Sequence, residues 1–109
     1  MTSQGTAHGR FTRAVASGNL REAEMAAREL GGLSLEDALK LCVMLAERDA
    51  PRFERAALRW LERFLAERLP PLAEVALAAS ALAELRHGDR GAGRDCLVKL
   101  ASRRRSTQI

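Results

Sequence analysis

Residues 18–32 read Gly18-Asn19-Leu20-Arg21-Glu22-Ala23-Glu24-Met25-Ala26-Ala27-Arg28-Glu29-Leu30-Gly31-Gly32, and this stretch decides the fold class. Asn19, followed three residues later by Glu22, has the form of a helix N-cap. Its side-chain oxygen satisfies a backbone N–H that the first turn leaves without a partner, and the carboxylate suits the positive end of the helix dipole. Leu20, Ala23, Ala27 and Leu30 then recur on one helical face. Gly31 or Gly32 suits the left-handed residue that ends many helices. The spacing predicts an amphipathic helix over 20–30.

The same punctuation organises the rest of the chain. Ser17-Gly18-Asn19, Gly31-Gly32, Asp49-Ala50-Pro51, Pro70-Pro71 and Gly88-Asp89 divide it into six stretches, with helices predicted at about 7–17, 20–30, 35–48, 51–68, 72–87 and 92–103. Ser34 with Asp37 repeats the capping pattern, Gly18 and Gly88 suit left-handed helix ends, and Pro51 fits a first turn. In the fourth helix Phe53, Ala57, Trp60, Leu61 and Phe64 form an aromatic seam that reads as core. The third and fifth helices are apolar around most of their circumference, the third with a narrow polar arc of Glu36, Asp37, Lys40 and Glu47. Such helices are either buried by several neighbours or offer a face to a partner, so both are expected at the centre.

Composition agrees. Of the 109 residues 47% are hydrophobic, enough for a core, yet the choice is Ala and Leu, with no Tyr and only four Val and one Ile. These residues lose little rotamer freedom in a helix, whereas the scarce β-branched ones favour strands. The expected architecture is all-α, one domain over 1–109 with flexible ends at 1–8 and 103–109. Three stacked antiparallel hairpins are the first arrangement, and a closed five- or six-helix bundle is the alternative. The apolar-rich run from Leu69 to Leu85 is interrupted by Pro70, Pro71, Glu74, Ser80 and Glu84, too broken to span a bilayer. Met1 to Arg10 holds no apolar signal core, and a cytoplasmic location is the expectation.

The helix junctions are weakly self-similar. Asn19, Asp49 and Asp89 each stand between the first and second helix of a pair. Gly18-Asn19-Leu20, continued by Ala23, Ala27 and Leu30, resembles the second half of a tetratricopeptide repeat, where a Gly-Asp or Gly-Asn opens the second helix and small residues four apart pack on the first. Phe11 and Ala14 lie about where that family's first-helix packing residues would be. Gly88-Asp89 with Leu97 and Leu100 looks like a further copy, with Gly93 in the place of the small alanine. The middle unit, Asp49, Phe53, Ala57 and Trp60, lacks the glycine. The resemblance implies a helical-repeat scaffold that binds other proteins.

No catalytic constellation stands out, and the chain reads as non-enzymatic. Neither His8, placed in a polar arm, nor His87, at a helix end, has a Cys or carboxylate at zinc-ligand spacing, and no cofactor motif is present. Cys42 and Cys96 fall in apolar patterns and read as small buried hydrophobes. Glu36 and Asp37 lie at a helix start, where capping accounts for them. Gly91-Ala92-Gly93-Arg94 has neither the preceding strand nor the Lys-Ser/Thr of a phosphate loop and reads as a turn.

Charge supplies the remaining candidates. Net charge is +4, and Arg supplies 16 of the 18 basic residues, a bias that a GC-rich genome also produces. Arg52, Arg55, Arg59 and Arg63 share a stripe roughly 80° wide on the fourth helix. Arg103, Arg104 and Arg105 form a second cluster. Both suit an acidic protein or nucleic acid; the alternatives are a solvated face with surface ion pairs, Glu62 and Glu67 serving Arg59 and Arg63, and a helix end complementing its dipole. The leading expectation is a protein–protein interaction module whose partner is another protein, a second copy of itself included, with Met44, Leu77 and Leu85 as candidate contacts. On that reading Leu77→Glu or Leu85→Glu abolishes association without unfolding the chain. Nucleic-acid binding or transcriptional regulation through the arginines is the alternative, and no membrane partner is expected.

Overall fold

A computed structural model describes residues 6–103; residues 1–5 and 104–109, within the ends expected to be flexible, lie outside the described residues. Six helices follow in order: α1 (Ala7–Ser17), α2 (Leu20–Leu30), α3 (Leu35–Arg48), α4 (Ala50–Arg68), α5 (Leu72–His87) and α6 (Arg90–Ser102). The principal extents are 45 × 34 × 20 Å, a slab about two helices thick.

Local chemistry sets the helix ends. Asn19, Asp49 and Asp89 cap α2, α4 and α6 in the same way, each side chain accepting the backbone N–H three residues on, at 3.1, 3.3 and 3.0 Å. The three junctions that look alike in sequence are therefore alike in geometry. Ser34 caps α3 through the Asp37 N–H, and Thr6 caps α1 through that of Gly9. Gly18 and Gly31 adopt the left-handed conformation, φ +74° and +76°. Gly88 does not, at φ −142°; there Glu84 folds back to accept the Asp89 N–H at 2.7 Å. α4 stops before Pro70, which disfavours helix at the residue preceding it, and Leu69 there is left-handed at φ +46°. Gly91 to Arg94, expected as a turn, lies inside α6, which the Asp89 cap starts at Arg90.

Consecutive helices pair as hairpins, α1 with α2, α3 with α4 and α5 with α6, and α3 packs on every other helix. It contributes to two cores at once. Leu35, Leu39, Cys42, Leu45 and Ala46 enter the larger one, with Phe53, Trp60 and Phe64 of α4, Leu82 and Leu85 of α5 and Leu97 of α6. Met44 enters the smaller one, with Phe11 and Ala14 of α1 and Ala23 and Ala26 of α2. An all-round apolar helix is what that position requires. The Trp60 indole N–H donates to the Leu35 carbonyl at 2.9 Å, and its ring stacks on Phe64 with centroids 5.4 Å apart. The aromatic seam is core.

The third hairpin departs from a regular stack. α6 as well as α5 rests on α3, and α5, expected to be central, lies at the margin with Leu72, Ala73, Ala76, Leu77, Ala79, Ser80 and Ala83 exposed. Arg68 fixes this arrangement. Its Nε and Nη2 donate to the Ala101 carbonyl near the end of α6 at 2.9 and 2.7 Å, and Nη2 also reaches Glu36 of α3. α5 and α6 meet at Gly93, where an added Cβ would stand 2.7 Å from the Ala81 carbonyl oxygen and 3.0 Å from the Glu84 Cβ. Gly93→Ala should therefore destabilise by about 1–3 kcal/mol, the overpacking cost exceeding the gain in helix propensity of about 1 kcal/mol. At Gly91 only Asp89 Oδ1, at 3.6 Å, is near the added carbon, so Gly91→Ala should stabilise by about 0.5–1 kcal/mol. Urea unfolding of both variants checks the contrast.

Candidate functional site

The turn of the third hairpin leaves a groove on one side of α3. α1 forms one wall and α6 the other, and the two do not pack extensively on each other among the described residues. The groove has a volume of about 410 Å³. Its floor is the α3 stripe Leu39, Val43 and Met44, and its walls are Val15 and Gly18 on one side and Val98 and Ala101 on the other. The rim carries Glu36, Lys40, Glu47, Arg48 and Arg94.

Three of the chain's four valines meet there, and Val98 is 49% exposed in the middle of α6. β-Branched side chains are stiff at χ1, so they form an apolar surface that gives up little rotamer freedom when covered. The rim is mixed in sign. Glu36 pairs with Arg68 and Lys40 with Asp37, both at 3.4 Å, while Glu47 and Arg48 have no ion-pair partner among the described residues. Apolar floor and walls with a polar rim are the anatomy of a recognition surface.

The expected contact residues separate. Met44 borders the groove from within the smaller core, with little surface of its own. Leu85 is buried against α6 and lies in the larger core, which corrects its assignment to a partner face. Leu77 is exposed on α5, away from the groove. Val15, Val43 and Val98 were not distinguishable in sequence: each sits beside a core position on its own helix, and only the placement of α1 and α6 over α3 brings them together.

Half of the arginine stripe is already engaged. Arg52 pairs with Glu24 of α2 and with Asp49, and Arg63 donates to Glu67 at 2.7 Å. Arg55 and Arg59 are exposed and without an ion-pair partner among the described residues, so the expected pairing of Glu62 with Arg59 does not form. Arg103 pairs with Glu74, and Arg104 and Arg105 lie outside the described residues.

Among the described residues no three His, Cys, Asp or Glu side chains gather to hold a metal ion. His8 belongs to α1 rather than to a polar arm, with Nε2 3.3 Å from Asp37 Oδ2. His87 is exposed in the last turn of α5. Cys42 faces the Ala56 carbonyl, and burial pushes its thiol up to about 12, the opposite of nucleophile activation. No described helix is long and apolar enough to cross a membrane. No protein-family model matches the chain, and neither curated proteins nor solved structures offer a match to it.

Two outcomes follow. Leu85→Glu should lose more than about 4 kcal/mol and unfold, because it places a charge in the core, whereas Leu77→Glu should leave the circular dichroism and unfolding midpoint unchanged. At pH 8 a thiol reagent should modify the half-buried Cys96 promptly and reach Cys42 only after denaturant is added.

Proposed function

We propose that this chain is a non-enzymatic protein-interaction module and that the groove across α3 takes an amphipathic helical segment of another protein. The observation that carries this reading is the groove itself, an apolar trough walled by two helices that rest on α3 without closing over it. A helical segment lays one apolar stripe into such a groove and keeps its polar face in water. The valines favour it because little side-chain entropy is lost on contact. Glu47 and Arg48 at the end of α3 and Arg94 on α6 offer charges of both signs to flanking residues of the ligand.

Nucleic-acid binding draws less support. Two of the four stripe arginines and Arg103 are paired with carboxylates, which leaves Arg55 and Arg59 as the stripe cations without an ion-pair partner among the described residues. Two phosphate contacts would give a shallow salt dependence and weak affinity.

Panning a displayed library of amphipathic helical peptides tests the groove. Enriched sequences should carry an i, i+3/i+4, i+7 apolar stripe and should lose at least tenfold in affinity to Val98→Glu, while the exposed-site variant Leu77→Glu binds as wild type. Peptides that bind Val98→Glu undiminished would place recognition elsewhere and overturn the assignment.

A further inference from the structure

A second apolar surface lies on the opposite margin, where α4 and α5 run antiparallel. On α4, Leu58, Leu61 and Leu65 repeat at spacings of three and four, and Leu69 follows directly after its last turn. Leu58 is 63% exposed, and Leu65 and Leu69 are also open to solvent. On α5, Leu72, Ala76, Ala79 and Ala83 repeat at the same spacing and are exposed, Leu72 at 82%. Between the two stripes runs a shallow cleft of about 170 Å³ that includes Leu58, Leu61, Ala79 and Ala83. A four-three spacing on two adjacent antiparallel helices, both stripes facing outward, is half of a four-helix bundle.

We propose that this face is covered by a second copy of the same chain, α4 of each copy lying on α5 of the other about a two-fold axis parallel to the helices. Size complementarity points to a copy rather than to a different partner. The face carries leucines on one helix and alanines on its neighbour, and the two-fold exchanges them, so the leucines of each copy fill the space over the alanines of the other. With roughly 180 Å² for a fully exposed leucine, Leu58, Leu65, Leu69 and Leu72 leave on the order of 400 Å² of apolar surface, as large as the largest patch on a typical monomer. Each stripe rises about 17 Å along its helix, so the face is roughly 17 by 20 Å, at the small end of the range for specific interfaces.

Charge agrees with the same pairing. Glu54 of α4 and Arg86 of α5 line the same cleft, and neither has an ion-pair partner among the described residues. In the two-fold arrangement Glu54 of each copy lies beside Arg86 of the other. The pairing goes beyond the groove proposed above and uses none of its residues.

Light scattering over a concentration series, at low and high salt, tests it. The chain should be a dimer that survives high salt, because the contact is chiefly apolar. Leu58→Glu and Ala83→Trp, both at exposed positions, should each give a monomer with unchanged circular dichroism. Glu54→Arg should weaken the dimer about tenfold or more, and adding Arg86→Glu to the same chain should restore it. Val98→Glu should stay dimeric, so loss of the groove and loss of the dimer are separable. A monomer at every concentration overturns the proposal, as does a dimer that Leu58→Glu and Ala83→Trp leave intact.

Discussion

The contact of α3 with all five other helices is the constraint on which the rest of the fold depends. A helix whose apolar residues cover most of its circumference has no orientation that satisfies it against one neighbour, and each additional helix that packs on it removes further apolar surface from water. α4 does so with the Trp60–Phe64 stack and an indole hydrogen bond to the first residue of α3, α1 and α2 with Phe11 and three alanines, and α6 with Leu97. The two cores communicate through this helix and through Leu20, which packs against both.

The position of α5 follows from how α6 is seated. Gly93 lets the two helices close to backbone contact, and Arg68 ties the end of α6 to α4 and α3. With α6 held on α3, α5 buries Ala78, Ala81, Leu82 and Leu85, and most of its remaining apolar residues are left outside. The same seating opens the groove, because α6 then faces α1 across α3 with Val98 between them. One glycine and one arginine thus shape both candidate interaction surfaces.

Arginine has structural work throughout this chain. Arg68 satisfies a carbonyl at the end of α6, Arg52 links α4 to α2 through Glu24, and Arg10 links α1 to α2 through Glu29, whose carboxyl that hydrogen bond holds below its ordinary range. A planar, always charged fork that spans two helices serves such links better than a lysine does. The basic composition therefore says less about a polyanionic partner than its net charge suggests, and only Arg55 and Arg59 of the α4 stripe are left without carboxylates among the described residues.

The sequence by itself determined the helices, because their causes are local. Capping by Asn19, Ser34, Asp49 and Asp89, left-handed Gly18 and Gly31, and three-to-four periodicity act within a turn or two of chain. It also marked α3 as central and the α4 aromatics as core. Its weaker readings were those in which two neighbours compete: α5 is as apolar as α3, and nothing local tells which of them the other helices will surround. Leu77 and Leu85 sit eight residues apart on one apolar helix, yet one is exposed and the other buried. Only the close contact at Gly93 and the reach of Arg68 across 33 residues made that choice. The groove valines became neighbours by the same route, since the contact between distant helices depends on which faces win the competition for α3.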